Sequence, residues 1–313
     1  RAKYPMIKIL NEWEKVDWEE GLEKACAILQ NNFSKNGAES LCVLGNSSIT
    51  VEEAYLLQKL ARGLGSNNID FRQDQSDFSY QDEIDLYPGL NCKLSELDNC
   101  HESDAIFVIG SNMRQEQPLL HLRLRKAWYQ NGANICILNP ADYDFKMDIA
   151  DNALVNIDTM PQVLAEIIIE IINKLLKGVK SHSKSKLDYL KNLKQNFECI
   201  NPGKIAKNIA FKLIQSNNPI ILSGEIAQNH AEASVLLKLQ SILMDLLESK
   251  GGMLTPGSNT AGAWMAGLVP HRMPAGAEIK KPGLNAGSMF KGALNNDISK
   301  AGQKVFILYN TDP

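Results

Sequence analysis

Short apolar runs typical of β-strands alternate along this chain with amphipathic stretches typical of helices, and this alternation constrains the fold more than any other feature. The clearest case has the run AIFVIG at 105–110, a helix predicted from Pro118 to Gln130, and the run NICIL at 134–138. Strands joined through helices of this length pair in parallel, so the pattern predicts an α/β fold. The crossover between two such strands is expected to be right-handed.

Further units of the same kind extend the pattern. A helix is expected near Trp18 after the N-cap Asp17, and Thr50 is expected to cap the helix that follows the run SLCVLG. The remaining predicted elements are a helix at 160–177, a helix at 204–216, the strand PIILSG at 219–224, a helix at 231–247 and a last strand, KVFILYN, at 304–310.

The size and charge of the chain exclude several classes of protein. At 313 residues it is about twice a typical domain, which predicts two domains or two interleaved lobes. A formal net charge of -3 leaves no electrostatic footprint for nucleic acid. No uncharged apolar stretch is long enough to span a bilayer, so no direct membrane insertion is expected.

The cysteines and histidines predict no metal site. None of the six cysteines shows C-x-x-C spacing, and none of the five histidines shows H-x-x-x-H spacing. Cys42 and Cys136 lie in apolar runs and are expected to be small buried hydrophobes. His121 is expected to be a partly exposed helix residue, and Asp142 a solvated turn acid.

The common nucleotide and hydrolase motifs are missing. The chain has no G-x-G-x-x-G, no G-x-x-x-x-G-K-[ST] and no G-x-S-x-G. An adenylate- or NAD-binding module therefore lacks its glycine fingerprint, and a hydrolase lacks its nucleophile. The basic residues Arg114, Arg123, Arg125 and Lys126 favour a solvated or salt-bridging face.

Small polar residues follow four of the predicted strands. Ligands of open α/β sheets bind outside the carboxyl ends of the strands, where main-chain amides face an anion, so these turns are candidates for lining a phosphate-rich cofactor. The same residue types are also what a tight turn between a strand and a helix requires. The turns are Gly45-Asn46-Ser47, Gly110-Ser111-Asn112, Asn139-Pro140 and Ser223-Gly224-Glu225.

The segment at 251–278 combines many glycines and prolines with large apolar side chains. Its composition forbids a long regular element, yet Trp264, Met265, Leu268 and Met273 favour burial. Two interpretations stay open. The segment is either a packed loop that a ligand or another backbone approaches closely, or a glycine-rich loop packed on its own lobe.

Four stretches resemble the molybdopterin oxidoreductase family: RAKYPMIK with WEKVDWEEGLEKA, YLLQKLARGLGSNNID, the whole run from DAIFVIG to NPADYD, and NTAGAWMAGLVPHR with KVFILYNTDP. Together they span nearly the whole chain. The form of the third, with RQEQPLL and LRLRKA, resembles the large iron-sulfur subunit of bacterial NADH-quinone oxidoreductase (respiratory complex I) more than the active molybdenum enzymes.

The resemblance implies two interleaved, doubly wound, Rossmann-like α/β lobes of the formate dehydrogenase type. An N-terminal segment with a helix would cover residues 1–37, the first lobe 38–70 plus 201–313, and the inserted lobe 71–200. The turns would face the cleft that holds a pterin dinucleotide in active relatives, a cleft generally empty in complex I. The vestigial cleft candidates are Gly45, Asn46, Gly110, Ser111, Asn112, Asn139, Pro140, Gly224, Asn259 and Gly262.

Two departures from the active enzymes bear on function. Active members place a Cys, selenocysteine or Ser metal ligand shortly after the NNID stretch, where this chain has FRQDQSDF with Ser76. The chain is also expected to be a middle segment, lacking the N-terminal modules that carry the parent's 2Fe-2S and 4Fe-4S clusters and the C-terminal domain. No catalytic residue, metal or cofactor is therefore expected in it.

The resemblance thus implies a scaffolding segment, and it implies partners and a location. The partners would be other peripheral-arm subunits of complex I, on the cytoplasmic side of the bacterial inner membrane. The alternative is part of a catalytic molybdopterin enzyme such as a formate dehydrogenase or a nitrate reductase, with Ser76 or no side chain on the metal.

Overall fold

A computed structural model describes residues 3–79, 88–91, 102–178, 184–197, 200–294 and 305–311. The chain divides into two units, and the second is one continuous stretch inserted into the first. Unit 1 comprises 1–73 and 262–313, and unit 2 comprises 74–261. Both units contain parallel sheets and helices, which confirms the predicted α/β class.

The strands and helices of the described residues follow the predicted alternation. The strands are β1 (Met6–Ile9), β2 (Glu12–Lys15), β3 (Leu41–Leu44), β4 (Ile69–Asp70), β5 (Ala105–Ile109), β6 (Asn134–Asn139), β7 (Asp151–Leu154), β8 (Pro219–Ser223), β9 (Lys250–Met253) and β10 (Val305–Leu308). The α-helices are α1 (Trp18–Asn36), α2 (Val51–Gly63), α3 (Met113–Glu116), α4 (Pro118–Asn131), α5 (Met160–Gly178), α6 (Lys184–Gln195), α7 (Lys204–Gln215), α8 (Glu225–Gln228), α9 (Ala233–Leu247), α10 (Thr260–Met265) and α11 (Ala286–Leu294).

Unit 2 is built on a five-stranded parallel sheet with the order β7-β6-β5-β8-β9. The chain starts at the central strand β5, runs outward through β6 and β7, then returns to the other side of β5 with β8 and β9. This is the doubly wound order. The strand sequence changes direction between β5 and β8, so the topological switch point lies at their carboxyl ends.

Both faces of this sheet are buried, which explains why its central strands are continuous apolar runs. Alternate residues of β5 point to opposite faces, with Phe107 in one apolar cluster and Val108 in the other. Helices α5, α7 and α9 contribute to the first cluster, and α4 to the second. Burying these two faces is the main source of stability for unit 2.

Helix α4 begins and ends where the sequence predicts. Pro118 is its first residue, and Gly132 closes it in the left-handed conformation with φ of 64°. Proline at the first position loses no intrahelical hydrogen bond, and glycine at the end carries no Cβ that would oppose a positive φ.

Strand β9 is an element that the sequence analysis does not predict. At Gly251, φ is +133°, and an added Cβ would lie 1.8 Å from the carbonyl oxygen of Ile221 on β8. The apolar alternation that marks a strand is absent from KGGM, so only the close approach of the neighbouring backbone accounts for its composition.

Unit 1 contains a three-stranded parallel sheet with the order β10-β3-β4. Helix α2 packs on it, and a capping box fixes the helix start: Thr50 Oγ1 accepts from the amide of Glu53, while the Glu53 carboxylate accepts from the amide of Thr50. The predicted cap at Thr50 is confirmed.

The N-terminal part of unit 1 also contains an antiparallel pair, β1 and β2, which the sequence analysis did not predict. Helix α1 follows, and Asp17 caps it by accepting from the amide of Glu20 at 2.9 Å. Leu22 and Cys26 of α1 lie on the surface of this chain.

The unit boundaries differ from those that the resemblance implied. The predicted inserted lobe ended at residue 200, but β8 pairs directly with β5 in the sheet of unit 2, and β9 pairs with β8. Residues 201–261 therefore belong to the inserted unit, and the chain returns to unit 1 at Gly262. This boundary follows from the pairing of strands that are far apart in the sequence, which a local pattern does not reveal.

Candidate functional site

Three of the four predicted turns share one edge of the sheet in unit 2. Gly110, Ser111 and Asn112 follow β5, Asn139 and Pro140 end and follow β6, and Gly224 follows β8. The fourth turn, Gly45 with Asn46, follows β3 on the separate sheet of unit 1. The shared edge includes the topological switch point between β5 and β8, where open α/β sheets bind ligands.

The carboxylate of Glu116 lies at this switch point. Its Oε2 accepts from the hydroxyl of Ser111 at 2.8 Å and from the amide of Glu225 at 3.0 Å, and its Oε1 accepts from the amide of Asn112 at 2.6 Å. We call the three donor residues, Ser111, Asn112 and Glu225, the β5–β8 cradle. Glu116 is the last residue of the short helix α3. The sequence analysis did not single it out.

A buried side chain holds the first part of the cradle in place. Asn139 Oδ1 accepts from the amide of Ser111 at 2.8 Å, and Asn139 Nδ2 donates to the carbonyl of Ser111 at 2.9 Å. Asn139 and Ser111 are both almost fully buried. The predicted Asn139 is thus a positioning residue for Ser111.

Two predicted glycines are explained by close approach. An added Cβ at Gly224 would lie 2.2 Å from Ser111 Cβ and 2.5 Å from Glu116 Oε2. At Gly110, φ is +57° and an added Cβ would lie 2.6 Å from the amide nitrogen of Ala227. The backbones around the cradle therefore pack directly against each other and against the carboxylate.

The fourth turn forms its own polar edge in unit 1. Asn46 Nδ2 donates to the carbonyl of Asn310, and Gln73 Nε2 donates to the carbonyl of Gly45 at 2.7 Å and to Thr311 Oγ1 at 2.6 Å. These contacts join the segments that follow all three strands of the unit 1 sheet. The Asn46 and Gln73 amide groups that donate here find their acceptors within the protein.

The remaining two cleft candidates lie in the glycine-rich segment. Asn259 belongs to unit 2 and Gly262 to unit 1, where it lies in α10. Within the same segment Trp264 and Leu268 are buried as predicted, whereas Met265 and Met273 are exposed. The expectation of burial is therefore wrong for the two methionines.

Unit 1 also contains a buried charged cluster that the sequence analysis did not find. The carboxylate of Asp70 forms a bidentate ion pair with Arg72 at 2.8 and 2.9 Å and also accepts from the amide of Ala286. His271 is buried nearby, and its two ring nitrogens have no hydrogen-bond partner within the described part of the protein. Burial, assisted by the charge of Arg72, lowers the pKa of His271 to about 3, so the ring is neutral.

Ser76, the candidate metal ligand, is engaged in unit 2. Its hydroxyl oxygen lies 2.9 Å from the carbonyl oxygen of His230 and 3.1 Å from that of Asn229. The neighbouring Asp77 accepts from the amide of Ser234 at the start of α9. The segment that follows NNID is therefore attached to the α8–α9 connection through its own polar side chains.

The predicted burial of four single residues can be compared with the structure. Cys42 and Cys136 are buried as predicted, and burial raises the pKa of each thiol to about 12. Asp142 is exposed as predicted. His121 contradicts its prediction, because it is buried with Nε2 2.8 Å from the carbonyl oxygen of Phe145, and burial lowers its pKa.

Among the described residues, no group of three or more His, Cys, Asp or Glu side chains is arranged to hold a metal ion. Cys92, Cys100, Cys199, His101 and His182 lie outside the described residues. The described helices also include none that is long and apolar enough to cross a membrane.

The family model for molybdopterin oxidoreductases matches residues 1–310, nearly the whole sequence. The chain belongs to the molybdopterin oxidoreductase family. Among solved structures, acetylene hydratase from Pelobacter acetylenicus has a similar fold, with a TM-score of 0.55 and 16% sequence identity. The matched region covers 87% of this chain and 37% of that structure.

The curated relatives include a nitrate reductase and a formate dehydrogenase subunit. A nitrate reductase of Synechocystis is 23% identical, and the match covers 95% of this chain and 47% of the relative. An F420-dependent formate dehydrogenase alpha subunit of Methanocaldococcus jannaschii is 24% identical, and the match covers 75% of this chain and 34% of the relative. This chain thus spans less than half the length of these relatives.

The family implies a pterin cofactor in relatives, and the β5–β8 cradle can be tested against it. A pterin dinucleotide carries phosphates, which need hydrogen-bond donors at such an edge. The hydroxyl and both amides of the cradle already donate to Glu116, and no Cβ fits at Gly224. As arranged, the cradle does not fit an added phosphate.

Proposed function

We propose that this chain is a cofactor-free scaffolding part of an oxidoreductase subunit similar to the large iron-sulfur subunit of bacterial NADH-quinone oxidoreductase. The parent complex would pass electrons from NADH to quinone through iron-sulfur clusters held elsewhere. This chain would supply packing surface to other peripheral-arm subunits on the cytoplasmic side of the inner membrane. The form RQEQPLL, which includes Glu116, is the sequence feature that favours this member of the family.

The observation that carries the proposal is the engagement of Ser76. A serine that ligates a metal must turn its oxygen to the metal and lose its proton. Here the hydroxyl is directed at the carbonyls of Asn229 and His230, acceptors that offer no route to an alkoxide. Neither a thiolate nor a free serine oxygen stands at the position where active relatives carry their ligand.

A second candidate is part of a catalytic molybdopterin enzyme such as a formate dehydrogenase or a nitrate reductase. The names of the curated relatives favour it, because nitrate reductase and formate dehydrogenase match three quarters or more of this chain. With Ser76 on the metal, this candidate requires that the Ser76 hydroxyl leave the carbonyls of Asn229 and His230. With no side chain on the metal, it requires no change at Ser76.

Purification of the full-length parent protein distinguishes the two candidates. Scaffolding predicts that the protein co-purifies with NADH-oxidising subunits, and that the preparation reduces quinone with NADH. The catalytic candidate predicts formate or nitrate activity that disappears when tungstate replaces molybdate in the growth medium. Formate or nitrate turnover with that sensitivity would refute the scaffolding proposal.

A further inference from the structure

Glu116 accepts hydrogen bonds from donors that come from two neighbouring strands. Ser111 and Asn112 follow β5, and Glu225 follows β8, which pairs with β5 along its whole length. The three donors converge on one carboxylate at the point where the strand order reverses. In folds of this topology that point is the ligand-binding crevice.

The chemistry of the donors favours an anion. Two are main-chain amides and one is a hydroxyl, and hydrogen bonds to an ionised carboxylate are stronger than those between neutral groups. The carboxylate therefore satisfies the hydroxyl of the buried Ser111, the amide of the half-buried Asn112 and the amide of the exposed Glu225, which would otherwise need a ligand or water.

The carboxylate, itself half-buried, is closely packed on the side of Gly224. Gly224 lies so near that even a methyl group would overlap Glu116 Oε2. The conformation of Gly224, with φ of -103°, is open to any residue, so lack of space alone accounts for glycine here. Asn139 holds the amide and the carbonyl of Ser111, which restrains the peptide that carries the Asn112 amide.

We propose that Glu116 is a built-in anion, whose carboxylate takes the place at the switch point that a phosphate or carboxylate of a bound ligand would otherwise take. The inference rests on the proposed function and deepens it, because it gives a physical reason why this edge holds no anionic cofactor. On this proposal, the ligand of the β5–β8 cradle is the Glu116 carboxylate of the same chain.

The test removes the carboxylate and then offers a replacement from solution. In Glu116→Ala of the full chain, hydrogen–deuterium exchange of the Asn112 and Glu225 amides is expected to rise about tenfold or more, because each loses its acceptor. Sodium formate, with ionic strength held constant by sodium chloride, is expected to restore protection of both amides in this variant. Formate and inorganic phosphate are expected to leave the wild-type amides unchanged.

Two further variants keep the test decisive. Glu116→Gln retains the side-chain volume, so it serves as the test if the alanine variant fails to fold. In Glu116→Gln we expect faster exchange of the Asn112 and Glu225 amides, and no restoration of protection by formate. Glu166→Ala is the matched control, because Glu166 accepts from a main-chain amide outside the cradle, that of Gly203 at 3.0 Å. It should change exchange at Gly203 and leave Asn112 and Glu225 unchanged.

Unchanged exchange in both Glu116 variants, or phosphate-dependent protection in the wild-type protein, would overturn the built-in anion. The exchange experiment is read on protein without added cofactor. Its failure is therefore a separate result from formate or nitrate turnover by the full-length parent, which alone bears on the proposed function.

Discussion

The side chain of Asn139 forms two hydrogen bonds with a single residue, Ser111, accepting from its amide and donating to its carbonyl. The two residues end or follow adjacent strands, β6 and β5, of the unit 2 sheet. This pair mimics one more step of main-chain pairing beyond the end of the strands. It therefore extends the rigid part of the sheet to the residues that contact Glu116.

Asn139→Ala is expected to lower the free energy of unfolding by about 1–3 kcal/mol, because both polar groups of the buried Ser111 backbone lose their partner. Urea denaturation measures the change. The matched control is Asn152→Ala, since Asn152 is exposed and donates to the exposed Asp142. The control is expected within about 0.5 kcal/mol of the wild type. Equal effects of the two substitutions would contradict the role given to Asn139.

Gly251→Ala is expected to disrupt strand β9. The substitution places a Cβ 1.8 Å from the Ile221 carbonyl at a φ that side chains rarely adopt, so a loss of about 3 kcal/mol or more is expected from overlap and strain. Thermal unfolding and far-UV circular dichroism measure it. Gly63→Ala is the control, because a Cβ there meets no atom within 4 Å and alanine favours the helix. A tolerated Gly251→Ala would show that β9 is wrongly placed.

His271 is expected to make stability depend on pH. Its folded pKa of about 3 lies below its ordinary value of 6.5, so the unfolded chain binds a proton that the folded protein does not. The contribution of His271 to the free energy of unfolding should therefore be constant above pH 6.5. Between pH 6.5 and 3 it should fall by about 1.4 kcal/mol for each pH unit.

His271→Gln, which cannot take up that proton, is the comparison. Urea denaturation at about pH 7, 6, 5 and 4 should give a shallower pH dependence for the variant than for the wild type. The difference in slope should approach one proton. Parallel curves would show that His271 is protonated in the folded protein or exposed to water.

The thiols are expected to react in an order set by exposure. Cys26 is exposed and should react with iodoacetamide in the native protein, whereas Cys42 and Cys136 are buried with pKa raised to about 12. Peptide mapping by mass spectrometry separates these three sites. Both buried thiols should react only in denaturant; modification of either in native buffer would contradict their place in the sheet cores.

Much of the fold could be predicted because the sequence marks its elements locally. Pro118 and Gly132 bracket α4, and Thr50 with Glu53 begins α2, in each case through an interaction within a few residues. β9 could not be predicted in this way, because Gly251 reflects a contact with the distant Ile221 on the neighbouring strand. The predicted end of the inserted lobe at residue 200 differs from the observed boundary for the same reason, because the boundary depends on which strand pairs with β5.

The sequence predicts which turns lie at the candidate site, but it does not predict what each side chain does there. Small polar residues after β5, β6 and β8 predict the sheet edge at which the β5–β8 cradle lies. Nothing local distinguishes Glu116 from any other acidic residue in a helical turn, because its partners Ser111 and Glu225 meet only through the pairing of β5 with β8. One signal could have drawn attention to Glu116: it is an acidic residue a few positions after a strand that is followed by a glycine, Gly110.

Molybdenum and pterin analysis of the full-length parent protein, produced in cells supplied with molybdate, tests the central claim most directly. The account predicts molybdenum far below one atom per protein and no fluorescent pterin after oxidative release. One molybdenum per protein together with released pterin would contradict it.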